Sequence, residues 1–193
     1  GKKVLITAGP TFEALDPVRG ITNSSSGKQG YSIASACSRY GADVLLVSGP
    51  VHQQTPAGAE RFNVTSAEEM KNCVMQLLDK EKPDVFISVA AVADYRPAHF
   101  SDKKIKKENS SDSYTLELTK NPDILSLVGH LENKPLCIGF AAETNDVIEN
   151  GQLKLQRKGA DLIVANPANA INSDSNDAVF ITKDALKTRG PGS

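Results

Sequence analysis

Three consecutive serines followed by a glycine are the first residues of this sequence whose types and spacing could bind a ligand. The stretch "ITNSSSGKQG", residues 21–30, lies between a predicted first strand and a predicted helix that begins near Lys28. Free amides at a helix N-terminus, hydroxyl donors and a permissive glycine favour binding of a phosphate or carboxylate. A long loop with serine N-caps explains the same residues. The stretch alone leaves both interpretations open.

Two familiar phosphate-binding motifs are absent from this part of the sequence. A P-loop requires GxxxxGK followed by Ser or Thr, whereas Gly27-Lys28 is followed by Gln29 and preceded five positions earlier by Thr22. The dinucleotide fingerprint GxGxxG is also missing after the first strand, where the chain reads "TAGPTFEALDP". A plain NAD reductase is therefore disfavoured.

A second candidate anion site is the basic run "DKKIKK", residues 102–107. Such runs are usually solvated surface. This one follows the C-terminal end of a predicted central strand, and Lys120 and a predicted helix start at Asn121 come soon after. Ligands of open α/β sheets bind beyond the carboxyl ends of the strands. Both candidate anion sites are expected there.

Two further segments carry groups suited to a nucleoside. In "AAVADYRP", Asp94 follows an apolar strand and could accept hydrogen bonds from ribose hydroxyls or cap the next turn. In "GFAAETN", Phe140 could stack on a base, although composition favours a core position, and Glu143 could cap a turn or bind a ligand.

The elements that must position these residues follow from the apolar pattern. Short β-branched runs alternate with amphipathic stretches, which is typical of βαβ units, and the runs are apolar enough to be covered on both faces. We predict one domain over residues 1–193, an α/β, Rossmann-like, doubly wound and mostly parallel sheet with helices on both faces. The predicted strands cover residues 4–9, 43–49, 84–92, 136–142, 161–166 and 178–184.

Helix ends carry their own signals. Ser66 and Glu69 form a capping box that predicts a helix over residues 66–80. Gly41 and Gly159 are placed where helices should end. The sequence from Asn121 predicts an N-cap at that residue, with proline at the first helical position.

Residues 96–119 interrupt this alternation. Near the end of this insert, Tyr114, Leu116 and Leu118 alternate with polar residues. The alternation predicts a half-buried strand over residues 114–120, antiparallel and outside the main sheet. We therefore expect a small antiparallel flap beside the main sheet.

Composition excludes several classes. The formal net charge is −1, so no global field attracts nucleic acid or an anionic membrane, and no apolar run approaches the ~20 residues of a membrane span. We expect a cytoplasmic protein. Cys37, Cys73 and Cys137 have no CxxC spacing, which indicates buried structural thiols rather than disulfides or a zinc site. The three histidines are scattered and predict no chemistry.

Taken together, eight ordered blocks closely resemble one family. The phosphopantothenoylcysteine synthetase (phosphopantothenate cysteine ligase) domain of bacterial coenzyme A biosynthesis is similar to this chain from Lys2 to about Lys183. The blocks are "ITAGPT", "DPVRGITNSSSGKQG", "VSGP", "AAVADYRP", "KIKK", "TKNPDIL", "GFAAET" and "RKGADLIVAN".

The resemblance implies condensation of 4'-phosphopantothenate with L-cysteine at the expense of CTP. A carboxylate would attack the α-phosphate of CTP, pyrophosphate would leave, and the cysteine amine would displace CMP from the acyl cytidylate. Such chemistry requires charge neutralisation and aimed donors more than a nucleophilic side chain.

The resemblance also implies residue roles. Lys104 would steady the triphosphate, Asn23 would hold the acyl cytidylate, and Arg19 would assist the cysteine-dependent half. The serine loop would bind the phosphopantothenate part through Asn23, Ser24, Ser25, Ser26 and Gly27. The nucleotide would be bound by Ser88, Ala90, Ala91, Asp94, Lys104, Lys120, Asn121, Pro122, Asp123, Phe140, Lys154 and Lys158.

Further implications concern the assembly. Mg²⁺ is implied by the triphosphate, with no protein ligand assigned. Family members are homodimers, and the insert, residues 96–119, favours this because an exposed two-stranded ribbon is marginal alone. A flavin-dependent decarboxylase is usually fused N-terminally, and "GPGS", residues 190–193, is interpreted as a cloning remnant. Gly20 stands beside Arg19 where some relatives carry an aromatic residue, and we expect a looser loop there.

Two alternatives remain. A nucleotide-binding module without turnover would retain the fold, and the same ligase could use ATP instead of CTP, since base choice can rest on backbone groups.

Overall fold

The structure is a computed structural model that describes residues 1–106, 112–167, 177–183 and 186–189. The helices are α1 (Lys28–Arg39), α2 (Ala67–Glu81), α3 (Ile124–Gly129) and α4 (Val147–Lys158). The strands are β1 (Lys3–Ala8), β2 (Phe12–Ala14), β3 (Gly20–Thr22), β4 (Asp43–Ser48), β5 (Ala59–Asn63), β6 (Val85–Ser88), β7 (Tyr95–Pro97), β8 (Leu118–Lys120), β9 (Leu136–Glu143), β10 (Leu162–Pro167), β11 (Ala178–Ile181) and β12 (Leu186–Arg189).

Within the described residues, eight strands form one sheet in the order β12-β11-β10-β9-β6-β1-β4-β5. The six strands from β10 to β5 are parallel, and β11 and β12 are added antiparallel at one edge. From β1 the chain proceeds outward to β5, then returns and continues from β6 to β10. This reversal places a topological switch point between β1 and β6, which confirms the predicted doubly wound α/β fold.

Alternate side chains of the strands enter two separate cores. Leu5 and Val47 point into the core covered by α2, α3 and α4, whereas Ile6 and Leu46 point into the core covered by α1. Both faces of the central strands are thus buried, which explains their nearly continuous apolar sequence. The predicted arrangement of helices on both faces is confirmed.

Local signals predicted the helix ends well, with one exception. Ser66 accepts a hydrogen bond from the Glu69 amide, and Gly159 ends α4 in the left-handed region. The exception is α3, whose N-cap is Asp123 rather than Asn121, because the Asp123 carboxylate accepts from the Ser126 amide.

Three predictions about strands are wrong in extent, and one of them is the strand predicted over residues 178–184, which ends at Ile181. The strand predicted over residues 84–92 ends at Ser88, because its partner β1 ends at Ala8. The strand predicted over residues 114–120 is reduced to Leu118–Lys120, and it is not half-buried: Tyr114 is 68% and Leu118 43% exposed. It does pair antiparallel with β7 outside the main sheet, as expected.

The remaining sequence predictions have different outcomes. Cys137 is buried, and burial raises the pKa of its thiol to about 11, but Cys37 and Cys73 are only partly buried, so the prediction of three buried thiols is wrong for these two. In the part of the chain that the structure describes, no helix is long and apolar enough to cross a membrane. The expected cloning remnant, residues 190–193, lies outside the described residues.

Candidate nucleotide site

The loops that follow β1 and β6 are joined at the switch point. Pro10 and Ala91 form a parallel bridge, and the Ala91 amide donates to the Gly9 carbonyl at 2.9 Å. The Ala93 amide donates to the Thr11 hydroxyl at 3.0 Å. These contacts carry both chain segments beyond the sheet side by side and form one wall of a crevice at the carboxyl ends of the strands.

A cavity of about 530 Å³ opens beside this wall, between the end of β6, β9, the start of α3 and α4. It brings together ten of the twelve residues predicted to bind a nucleotide: Ser88, Ala90, Asp94, Lys120, Asn121, Pro122, Asp123, Phe140, Lys154 and Lys158. Residues that sequence reasoning missed complete the lining: Val89, Val92, Ala93, Tyr95, Ile124, Leu125 and Arg157. The cavity thus combines apolar walls with several charged groups, as ligand sites commonly do.

The charge of the cavity favours an anion. Its lining contains four basic side chains, Lys120, Lys154, Arg157 and Lys158, against two acidic ones, Asp94 and Asp123. Low-dielectric walls strengthen the attraction between such a cluster and a ligand of opposite charge. A polyphosphate is therefore better suited to the cavity than a neutral ligand.

Two of these lysines already have partners. Lys154 donates to the Phe140 carbonyl at 2.6 Å, and Lys158 forms an ion pair with Asp123. Burial, together with the Lys158 charge, lowers the pKa of Lys154. Burial would raise the pKa of Asp123, but the hydrogen bonds from Lys158 and the Ser126 amide, together with the charges of Lys158 and Lys154, outweigh it and the pKa falls below its usual value. Each ammonium has three donors, so both lysines keep capacity for a ligand.

The Asn121 side chain stabilises the cavity wall and does not present its donors to a ligand. Its amide nitrogen donates to the Ala93 carbonyl at 2.7 Å and to the buried Glu13 carboxylate at 3.0 Å, while its oxygen accepts from Arg96. Glu13 also accepts from the Ala67 amide at the start of α2. Both donors of the Asn121 amide are therefore occupied, and its effect on a ligand would be indirect.

Three charged groups of the lining remain available. Within the described part of the chain, no hydrogen bond or ion pair engages the side-chain charge of Asp94, Lys120 or Arg157. Arg157 follows Lys154 by three positions and precedes Lys158, so helical spacing alone would have placed it on the same face as the predicted lysines.

The serine loop does not line this cavity but contacts its wall. Asn23 donates to the Ala91 carbonyl at 3.0 Å, next to the lining residue Ala90. The Ser25 and Ser26 hydroxyls accept from the amides of Gly27 and Lys28 at 3.3 Å, each two positions further along the chain. The N-cap of α1 is Gly27, without a side-chain cap, so the interpretation of these serines as N-caps is wrong. Ser24 is exposed. The loop therefore adjoins the cavity through Asn23, and two of its hydroxyls bind nearby backbone amides.

Gly27 is required by the geometry of this loop. Its φ is +77°, a left-handed conformation that side chains disfavour, and an added Cβ would lie 2.9 Å from Val51 Cγ1. The loop that precedes α1 is thereby packed against the segment after β4.

Ala91 and Lys104 are the two predicted nucleotide residues outside the cavity lining. The backbone groups of Ala91 are taken by Gly9, Thr11 and Asn23, so they are not presented to a ligand. Lys104 is exposed on the insert. Its neighbour Ile105 is bound at both backbone groups by Asp16 and Arg19, at distances of 3.1 and 2.7 Å.

Among the described residues, no group of three or more His, Cys, Asp or Glu side chains could hold a metal ion. Mg²⁺ usually keeps several waters and binds through substrate phosphates with one or two carboxylates. The available Asp94 carboxylate beside the cationic groups is compatible with an ion of this type that arrives with a triphosphate.

A comparison with protein families decides the classification. Residues 1–191 match the family described as the DNA/pantothenate metabolism flavoprotein C-terminal domain. The chain belongs to this family.

Curated relatives of this C-terminal domain are similar over nearly the whole chain. It is 50% identical over 189 residues to the coenzyme A biosynthesis bifunctional protein CoaBC of Vibrio cholerae, covering 95% of this chain and 47% of the relative. The corresponding protein of Escherichia coli K12 is 48% identical over 190 residues, covering 95% and 46%. The chain spans about half the length of these relatives.

A solved structure of the same kind of domain has the same fold. The crystal structure of the C-terminal domain of a coenzyme A biosynthesis bifunctional protein CoaBC superposes with a TM-score of 0.82 at 41% identity, covering 98% of this chain and 86% of the other. The resemblance to this family, including its α/β fold, is confirmed.

One departure within the C-terminal domain has a structural explanation. Gly20 pairs with Ala14 in the β2–β3 ribbon, and an added Cβ would lie 2.4 Å from Phe12 Cζ, so the Phe12 ring covers this position. The Leu15 amide donates to the Arg19 carbonyl at 2.8 Å and closes the turn. The looser loop expected at this position stays a prediction.

Proposed function

We propose that the domain condenses 4'-phosphopantothenate with L-cysteine to 4'-phosphopantothenoylcysteine, using CTP through an acyl cytidylate. The single observation that supports this most directly is the cationic cavity at the carboxyl ends of β6 and β9, adjoining the serine loop through Asn23. The relatives named as coenzyme A biosynthesis proteins support the same pathway.

The proposed first half-reaction forms the acyl cytidylate. A carboxylate oxygen of phosphopantothenate attacks the α-phosphorus of CTP, the bond between the α- and β-phosphates breaks, and pyrophosphate leaves with the electron pair. Lys120, Lys154, Arg157 and Lys158 would neutralise phosphate charge in the cavity, and Lys104 would approach the triphosphate from the insert. Such stabilisation acts where charge develops during transfer.

The second half-reaction forms the amide. The cysteine amine attacks the acyl carbon, the bond to CMP breaks, and the amine loses a proton. Asn23 uses one amide hydrogen for the Ala91 carbonyl, which leaves its second amide hydrogen for the acyl oxygen. Arg19 would assist this half-reaction.

In the first half-reaction, Mg²⁺ would neutralise charge on the triphosphate. Asp94 is a carboxylate that could accept hydrogen bonds from the water ligands of the ion.

The proposed assembly is a homodimer that uses the insert. Phe100, Tyr114 and Leu118 are exposed in the insert, Tyr95 is exposed immediately before it, and the β7–β8 ribbon has only three residues in each strand. Exposed apolar groups on a ribbon too short to be stable alone favour pairing with a second copy. Sedimentation as a monomer at micromolar concentration would contradict this proposal.

The matched relatives are bifunctional and about twice as long as this chain, which supports a fused second activity. We propose that the partner domain is the flavin-dependent decarboxylase that acts on the ligase product. The cytoplasmic location stays a prediction.

Pyrophosphate release is the decisive measurement. CTP and 4'-phosphopantothenate are mixed with the domain without cysteine, and ATP is used in parallel. A burst with CTP, followed by turnover when cysteine is added, is the expected result. Release with ATP alone would reassign the nucleotide. Binding of CTP by folded protein with no release from either nucleotide would favour the binding module without turnover.

A further inference from the structure

Two neighbouring contacts anchor the insert to the body of the domain: the Ser101 amide donates to the Leu15 carbonyl at 3.0 Å, and a buried carboxylate, Asp16, binds near Lys104. The Asp16 side chain is fully buried, although its neighbours Pro17 and Val18 are exposed. It accepts five hydrogen bonds: from the Val18 amide at 2.9 Å, the Arg19 amide at 2.7 Å, Arg19 Nε at 3.2 Å, Arg19 Nη2 at 2.8 Å and the Ile105 amide at 3.1 Å. The last of these bonds crosses 89 positions of the sequence.

Arg19 completes the same anchor from the other side of Ile105. Its Nη2 donates both to Asp16 and to the Ile105 carbonyl, the latter at 2.7 Å. The Ile105 amide belongs to the peptide bond with Lys104, and the Ile105 carbonyl belongs to the peptide bond with Lys106. The Asp16–Arg19 pair therefore holds the two peptide groups that flank Ile105, immediately after Lys104.

Electrostatics keep the anchor in its ionised state. Burial would raise the pKa of Asp16, but hydrogen bonds from the Ile105 amide and from Arg19 outweigh it and hold the pKa well below its usual range. A fully buried carboxylate with this many donors is strongly oriented, because leaving any of the donors without a partner is costly.

We propose that Asp16 is a positioning residue that sets the place of Lys104 through the backbone of Ile105. This inference rests on the proposed ligase function for its catalytic consequence. It also gives Arg19 a second role besides the one implied by the family. The guanidinium donates hydrogen bonds both to the Asp16 carboxylate and to the Ile105 carbonyl of the insert. Lys104 itself has an exposed side chain, so its location depends on the backbone that the anchor holds.

The first test measures the anchor without any substrate. Hydrogen exchange at the Ile105 amide is followed by NMR in the wild-type domain, in Asp16→Asn and in Asp102→Asn. Asp102 is an exposed carboxylate of the same insert, so its replacement removes equal charge without touching the anchor. We expect about tenfold faster exchange at Ile105 in Asp16→Asn, with unchanged exchange in β1 and in the control. Equal protection in all three proteins would overturn the inference.

The second test measures the consequence for chemistry. Pyrophosphate release from CTP and 4'-phosphopantothenate is compared in Asp16→Asn, Lys104→Gln and the double variant. If Asp16 acts through Lys104, the double variant is no slower than Lys104→Gln within about threefold, and Asp16→Asn lowers the burst rate at saturating CTP with little change in the CTP concentration that gives half of that rate. Multiplying losses in the double variant would overturn the coupling.

A second variant covers the case in which Asp16→Asn does not fold. Ile105→Pro removes this one amide donor and keeps the bonds of the Asp16 carboxylate to Val18 and Arg19. It should reproduce the loss of burst rate in protein that remains folded by circular dichroism, and full activity in this variant would overturn the inference. Absence of pyrophosphate release from wild-type protein would refute the proposed function, whereas the exchange measurement would still report whether the anchor exists.

Discussion

Two lysines of the cavity, Lys154 and Lys158, and Lys104 of the insert are held in opposite ways. In the cavity, Lys154 and Lys158 are bound through their ammonium groups, to the Phe140 carbonyl and to Asp123. In the insert, the side chain of Lys104 is exposed and only the adjoining backbone is bound, by Asp16 and Arg19. The cavity thus presents two of its four cationic groups in a fixed geometry, whereas the insert fixes the backbone beside Lys104 and leaves its ammonium group exposed.

The difference suggests a division of work. Cations fixed before the ligand arrives contribute to binding in both ground and transition states, while a side chain that engages only during reaction lowers the barrier. Substitutions in the two regions should therefore separate binding from chemistry.

The largest expected effect is on Lys104. Lys104→Gln should slow pyrophosphate release about 100-fold or more, the loss typical of one donor aimed at developing charge, with little change in CTP affinity. Lys103→Gln, an exposed neighbour, is the matched control and should retain activity within about threefold. Equal rates for both variants would remove the distinction between insert and cavity.

Arg157 tests the cavity. Arg157→Gln should raise the dissociation constant for CTP about tenfold with a nearly unchanged burst rate, because it removes one available cation from the lining. Calorimetric titration measures the affinity, and Arg39→Gln at the end of α1 is the control. A fall in burst rate at saturating CTP, without weaker binding, would assign Arg157 to chemistry instead.

Substitution of Lys154 should show that its buried charge contributes to CTP binding and not to folding stability. Because burial lowers its pKa, the folded protein disfavours the charged form, so Lys154→Met should leave the unfolding free energy unchanged or raise it by about 1 kcal/mol while CTP binding weakens. Lys134→Met is the contrasting variant.

Lys134 is paired with Asp161 at 2.6 Å, so its loss should lower the unfolding free energy by about 1 kcal/mol. Urea unfolding measures both variants. A clear destabilisation by Lys154→Met would mean that its contact with Phe140 is structural.

The smallest expected effect is the acid dependence of stability. The pKa values of Asp16 and Asp123 are lowered in the folded state, so each contributes stability above about pH 4 that is lost as pH falls through the folded value. Urea unfolding between pH 7 and pH 3 should therefore show a shallower acid decline in Asp16→Asn and in Asp123→Asn than in wild type. Curves parallel to wild type would contradict the hydrogen-bonded carboxylates of both regions.

Much of the fold follows from local patterns. The buried apolar runs placed β1, β4, β9 and β10 within one or two residues, and the capping box located α2. The ribbon β2–β3 and the edge strands β5 and β12 were not predicted, because their sequences are short and lack alternation. The strand at residues 114–120 was predicted too long, since alternation describes a surface that another element must cover and the described chain supplies no such cover.

The site likewise has residues that the sequence predicted and contacts that it did not. The motif blocks brought ten lining residues to the cavity, and helical spacing around Lys154 would have added Arg157. No local signal revealed that Glu13 binds Asn121, or that Asp16 binds Ile105, because these pairs are 108 and 89 positions apart.

The sequence by itself determined the order of the helices and of the buried strands, the ends of most helices and the membership of a family, since these depend on periodicity, on hydrogen bonds between near neighbours and on the order of motif blocks. Only the tertiary structure decided which groups remain available to a ligand. Asp94 and Asn121 lie in equally recognisable blocks. The Asp94 carboxylate stays available to a ligand, whereas both hydrogen-bond donors of the Asn121 side chain are occupied. The reason is physical: a polar group is occupied or free according to partners that the fold brings to it from distant parts of the chain.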